Sequence, residues 1–205
     1  MKPLILDIET GPDTNAIERM AYEPEPDARL KDPAKIQAKR EEKLLKYLNE
    51  SPLYAQRGRI LMIGILQGAD VSILEGPERD MLTAAWSMVR GAHNHGNPIV
   101  GHNILSFDLP FMARRSMING IEHPGWVNCD MRRDVMIKDT MTMWQMGVPG
   151  DRISLSDLGV AFGYPRKEDI GKHFAETYAA EPAKAIEYLK NDLELTRACF
   201  EAMTI

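Results

Sequence analysis

Leu4-Ile5-Leu6-Asp7-Ile8-Glu9-Thr10 is apolar at four of its first five positions and acidic at Asp7 and Glu9. The short run Leu4 to Ile8 is apolar on both faces, which reads as a buried central strand of an α/β sheet. Side chains two apart on a strand leave the same face, so Asp7 and Glu9 project together from the sheet centre. Two carboxylates there repel each other and are costly to bury unless a cation sits between them. The pair is therefore a candidate metal site. An Asp-x-Glu arises by chance about once in a chain of this size, and Asp192-Leu193-Glu194 is a second one. The apolar flank of Asp7, more than the spacing, carries the reading.

Outward from that strand, Thr10-Gly11-Pro12 is expected to end it, and residues 13–28 read as an irregular surface loop with Pro24, Pro26 and five acids against one base. Asp32-Pro33 starts a helix, with Asp32 as N-cap and Pro33 at the first helical position. It runs to about Asn49 as a surface arm, since Ile36, Leu44, Leu45 and Leu48 form only a thin stripe. Two strands, 59–67 and 71–74, form a hairpin across Gly68-Ala69-Asp70. A helix over 78–90, a strand over 98–101, a helix over 109–119 and a strand within 134–144 follow. Short helical signals at 154–162 lead to a helix from Pro182 to about Ala202. This order predicts a mixed sheet with helices on its faces, and one domain over 1–205 with a charged, partly helical insertion at about 13–57.

The chain has 205 residues, 44% hydrophobic and 27% charged, ample for a core of this kind. No apolar run approaches a membrane span, and acids interrupt the first residues before a signal-peptide core develops. Two cysteines, Cys129 and Cys199, far apart, exclude a disulfide framework and a thiolate zinc site and suit a reducing cytoplasm. The net charge of -5 argues against long duplexes as partners. From Arg29 to Arg59, however, nine Lys/Arg face four acids, so this stretch is about +5 and the remainder about -10. A short grip on a strand end fits that distribution, with bound cations neutralising the acids.

Two further stretches carry candidate chemistry. Asp108 closes Asn103-Ile104-Leu105-Ser106-Phe107-Asp108. It is a candidate metal ligand, although Asp ahead of Leu-Pro is also an ordinary N-cap. Asn103 is placed to bond the strand end, and Phe107 to pack on a base or on the core. Tyr188 and Asp192 are four apart on the last helix, one turn apart on one face; a half-buried tyrosine beside a solvated aspartate is the plainer alternative. Lys172-His173 after Gly171 are candidate phosphate contacts. His93-Asn94-His95 reads as loop, Arg114-Arg115 and Arg132-Arg133 as surface charge, and the thirteen methionines as core filler.

Asp7-Ile8-Glu9-Thr10, Asn103 to Asp108 and Tyr188-x-x-x-Asp192, in that order, resemble the three exonuclease motifs of the DEDD superfamily, tyrosine subclass. The stretch from Gly171 to Asp192 is especially similar to predicted 3′–5′ exonucleases related to the proofreading domain of B-family DNA polymerases. The likeness runs from Asp7 to Thr196 apart from about 13–57. Position 187 is Glu, where the histidine subclass would place His. The resemblance implies a ribonuclease H-like fold and two-metal hydrolysis of phosphodiester bonds with Mg²⁺ or Mn²⁺. It implies Asp7 bridging both ions, Glu9 and Asp192 on the first, and Asp108 reaching the second through water. Tyr188 would orient the attacking water, and Thr10, Asn103, Phe107, Lys172 and His173 are the candidate substrate contacts. The expected substrate is single-stranded nucleic acid, DNA ahead of RNA, with replication or repair proteins as partners in trans. An exoribonuclease and a non-catalytic binding protein on the same fold are the alternatives.

Overall fold

β1 (Leu4–Pro12) pairs antiparallel with β2 (Gly58–Gln67), which turns back into β3 (Asp70–Leu74). On its other side β1 pairs parallel with β4 (Ile99–Gly101), and β4 with β5 (Ile137–Asp139). The sheet order is β3-β2-β1-β4-β5, so the strand carrying Asp7 and Glu9 is central, as its apolar flanks predict. The molecule is seen in a computed structural model that describes residues 2–128, 131–148, 150–166 and 171–204. Cys129 lies outside them, and Cys199 is buried.

The alternation along β1 sorts its residues between two layers. Leu4, Leu6 and Ile8 join a core with Met81, Leu82, Ala85 and Trp86 of α3 (Glu78–Asn94) and with Leu109 and Met112 of α4 (Asp108–Asn119). Ile5 instead packs with Leu66, Val100 and Leu193. Leu193 belongs to α8 (Pro182–Ala202), whose Leu189 and Ala185 meet Met62 and Phe174 of the preceding helix 174–180. Asp7 and Glu9 share Ile5's parity, so they face α8. Gly64, paired with Asp7, has a packing reason to lack a side chain. A Cβ there would lie 2.9 Å from both Leu189 Cγ and Leu193 Cδ1, holding α8 off the sheet.

Three readings of the sequence change. β1 does not stop at Thr10 but continues to Pro12, after a register shift between Glu9 and Thr10. Residues 14–20 are a helix, α1 (Thr14–Met20), because Asp13 accepts the Ala16 N–H and caps it. His93 and Asn94 are the last residues of α3, and His93 is stacked on Trp126 with its Nε2 2.9 Å from Asp134. The arm is as expected: α2 (Pro33–Asn49) has Asp32 accepting from Ala34 N–H, Pro33 at its start and no buried residue. Three short helices complete the element order: α5 (Thr140–Gln145), α6 (Leu155–Ala161) and α7 (Phe174–Ala180). Among the described residues no helix is long and apolar enough to cross a membrane.

Candidate active site

Carboxylate oxygens of Asp7, Glu9 and Asp192 lie within 4.8 Å of one another. Residues from the two ends of the chain meet because the sheet centre and α8 pack face to face, with Asp192 itself only 5% exposed. Asp108 arrives from the opposite layer. It is the first residue of α4 yet does not cap it; Phe107 holds the cap position, and Asp108 Oδ1 instead accepts the Ile8 N–H at 3.1 Å. Asp108 also shares a side-chain hydrogen bond with Asp7. All four sequence-predicted carboxylates are thus one contiguous group.

A buried carboxylate beside others resists ionisation. Asp108 is pushed from its ordinary 3.8 up to about 7, chiefly by burial, and further by the charge of Asp139, against the opposing pull of the Ile8 N–H. Between about pH 4 and 7 the folded chain therefore holds a proton that the unfolded chain has released, so this group's contribution to stability fades as pH rises through that window. A cation bound there would compete with that proton. The gain in Tm on adding Mn²⁺ is accordingly expected to be larger near pH 8 than near pH 5; thermal melts with and without Mn²⁺ check this, and an equal gain at both pH values would contradict it.

Tyr188 is half-buried against Phe174, with ring centroids 6.2 Å apart. Burial first, then the charges of Asp192, Glu9 and Asp7, drive its phenol far above its ordinary value. The hydroxyl stays protonated at any working pH and acts as a donor. A Cβ on Gly171 would approach the Tyr188 hydroxyl to 3.2 Å, so the turn Gly171–His173 borders it. His173 is exposed, 3.3 Å from Glu176, and the Lys172 side chain lies outside the described residues. A groove of about 650 Å³ runs along α8 from Tyr188 and Asp192 past Asn191 and Lys184, with Tyr164 and Arg166 on its far wall.

The remaining candidates take different places. Asn103 sits in the left-handed region at φ 62°, and its backbone N–H donates to Asp139 Oδ1 at 2.9 Å. Phe107 packs on Phe111 and the main core. Thr10 donates its hydroxyl to Pro52 O at 2.8 Å. Arg115, read as surface charge, is buried: it forks onto Glu78, reaches Asp13 at 3.2 Å and donates to Ala55 O at 2.9 Å. Arg132 reaches Ser106 Oγ at 3.0 Å.

Asp139 is the residue the sequence did not single out. It is 3% exposed at the end of β5 and accepts four backbone N–H groups. Its Oδ1 takes Asn103, Met141 and Thr142, and its Oδ2 takes Leu105 at 3.1 Å. One carboxylate therefore caps α5 and clamps the loop that ends in Asp108. Gly101 lets that loop close on β1, since a Cβ there would lie 2.7 Å from Ile104 Cβ and 2.9 Å from Leu6 O.

The donor set is all carboxylate oxygen, hard and anionic, with several ligands on a shared face; it fits divalent cations that prefer oxygen. The mixed five-stranded sheet with flanking helices is a ribonuclease H-like fold. The chain belongs to the family of predicted 3′–5′ exonucleases related to the exonuclease domain of PolB, which matches residues 59–198. It is an exonuclease on that footing, and the family implies divalent metal. Asp7 and Glu9 precede the matched span, so their part rests on the geometry above. The fold is similar to that of a family B DNA polymerase from the hyperthermophilic archaeon Pyrobaculum calidifontis, with TM-score 0.61 and 16% identity. That likeness covers 100% of this chain and 24% of the polymerase, so the chain spans about a quarter of the larger protein. No curated protein matches the sequence.

Proposed function

We propose that the chain removes nucleotides from the 3′ end of single-stranded DNA by two-metal hydrolysis. The observation that carries this is the convergence of Asp7, Glu9 and Asp192 within 4.8 Å, with Asp108 bonded to Asp7. Bound Mg²⁺ or Mn²⁺ supplies hydroxide at neutral pH and offsets charge on the leaving 3′ oxygen. Asp7, Glu9 and Asp192 would hold the metal, and Asp108, bonded to Asp7, would add its carboxylate to the same group. The Ile8 N–H keeps Asp108 aimed, so little reorganisation is left for the reaction.

Tyr188 orients the attacking water through its retained proton. The groove along α8 receives the terminal nucleotide, and Lys172 and His173, on the turn beside Tyr188, contact its phosphate. Asn103, Phe107 and Thr10 shape the opposite rim, with Phe107 offering a ring edge to the base. The unit is one exonuclease domain, with residues 13–57 as an insertion, working alone or in trans with replication or repair proteins.

Matched 5′-labelled DNA and RNA strands in Mn²⁺ test the reading. A ladder shortening from the 3′ end is expected, faster on DNA. A faster RNA ladder moves the substrate to RNA, and no shortening of either strand overturns the proposal. Tyr188→Phe is expected to lower kcat about tenfold with KM little changed, because the carboxylates still hold the reacting geometry.

A further inference from the structure

Residues 13–57 are tied to one another by contacts of their own and to the end of β1 through the turn Ser51–Leu53. Five positions of α2 are half-buried, Ile36, Lys39, Arg40, Lys43 and Tyr47; Ile36, Arg40, Lys43 and Tyr47 form its docking face, with Lys39 at the margin of that face. Arg40 Nε donates to Pro24 O at 3.1 Å and Lys43 Nζ to Glu25 O at 2.8 Å, so these two cations staple the 21–28 stretch to the helix. Tyr47 stacks on Tyr22 at 4.1 Å, and the Arg57 guanidinium lies between the Tyr47 and Tyr54 rings at 4.0 and 4.2 Å. The segment is then fastened at its base. Thr10, one residue past Glu9, bonds Pro52, and Arg115 joins Asp13 to Ala55 O.

The other edge of α2 is left for solvent. At about 100° per residue, Lys35, Lys39 and Lys46 fall within about 40° of one another. Lys39 pairs with the exposed Glu42 at 2.8 Å and Lys46 with Glu50 at 3.8 Å. Exposed pairs of this kind contribute about 1 kcal/mol or less and yield to a stronger anion. Lys35 and Lys46 are about 16 Å apart along the axis, a length that a few nucleotides of extended strand span. Positive charge concentrates here, at about +5 over 29–59, while the rest of the chain carries about -10.

We infer that the Lys35, Lys39 and Lys46 edge of α2 is a landing surface for the phosphate backbone of the single-stranded substrate upstream of its 3′ end. This rests on the exonuclease reading and adds where the rest of the strand is held. A polyanion is favoured as occupant because the edge is cationic, and because the 3-10 turn Ser51–Leu53 that follows α2 is bonded to the strand bearing Glu9. The surrounding negative potential makes this edge the attractive approach to an otherwise repelling molecule.

The test is the triple variant Lys35→Glu, Lys39→Glu, Lys46→Glu, made on exposed or half-exposed positions that hold no part of the docking face. Binding of a labelled strand of about 20 nucleotides is measured in EDTA across a salt series. Affinity is expected to fall at least about tenfold, and the slope of log K against log salt to shrink by about 2, for three lost phosphate contacts. Hydrolysis in Mn²⁺ of a small phosphodiester, the p-nitrophenyl ester of thymidine 5′-monophosphate, is expected to stay unchanged, because it occupies the carboxylate site alone. Unchanged strand affinity and slope would overturn the inference and leave the edge to another partner, such as an acidic protein. Failure of the exonuclease reading shows separately, as parent protein that hydrolyses neither strand nor ester. The variant Arg40→Gln, Lys43→Gln controls for loosening of the segment and is expected to lower Tm more than it lowers the salt slope.

Discussion

Asp7→Ala and Asp192→Ala are each expected to lower metal-dependent exonuclease activity by at least about 1,000-fold, since each removes a ligand from the set that holds both charge and geometry. The same substitutions are expected to leave the metal-free protein at least as heat-stable as the parent. In the absence of cations, Asp7, Glu9 and Asp192 are mutually repelling acids within 4.8 Å, and Asp192 is buried. Deleting one relieves repulsion and removes a desolvated charge. Alanine also suits the middle of α8. The two readouts together separate loss of chemistry from loss of fold: digestion of a 5′-labelled strand in Mg²⁺ gives the first, and melting in EDTA the second. Full activity in either variant would remove the basis of the assignment, and a variant that melts well below the parent would make it a residue of the core.

The elements that local signals define were legible from the sequence. The apolar run Leu4 to Ile8 marked the central strand, Asp32-Pro33 marked the start of α2, and Pro182 that of α8. That Asp7, Glu9, Asp108 and Asp192 belong together was legible from the order of the motifs they resemble, and the fold brings their carboxylates into one group. What escaped depends on partners far away in sequence. α1 is seven residues long, too short to hold by propensity, and its cap Asp13 is pinned by Arg115, 102 residues on. Arg115 looked like surface charge because nothing near it in sequence is its partner; Glu78 and Ala55 reach it only through the fold. Asp139 left no signature at all, because it acts on backbone N–H groups, which every residue has.

Asp139 also yields the sharpest test of how the site is held together. Its carboxylate reaches back 36 residues to Asn103 N and 34 to Leu105 N, and forward to Met141 and Thr142. Asp139→Ala strands four N–H groups, of which the one on Leu105 is wholly inside. One buried donor left unpaired costs on the order of 1–3 kcal/mol and the lost cap of α5 about 1 kcal/mol, so a loss of about 2–4 kcal/mol in unfolding free energy is expected. Asn103, held at φ 62°, has no reason to keep that strained backbone once its bond is gone. The loop then relaxes and Asp108 leaves the Ile8 N–H, lowering kcat by about 100-fold or more in the fraction that stays folded. Asp139→Asn discriminates between clamp and generic core residue. Its amide oxygen can still accept from Asn103, Met141 and Thr142, while its NH₂ faces the Leu105 N–H as donor against donor. It is expected to recover much of the stability but only part of kcat, with KM for a short strand unchanged throughout. If urea unfolding and single-turnover rates show instead that Asp139→Asn loses stability as fully as Asp139→Ala while kcat per folded molecule is unchanged, Asp139 caps α5 and does not position Asp108.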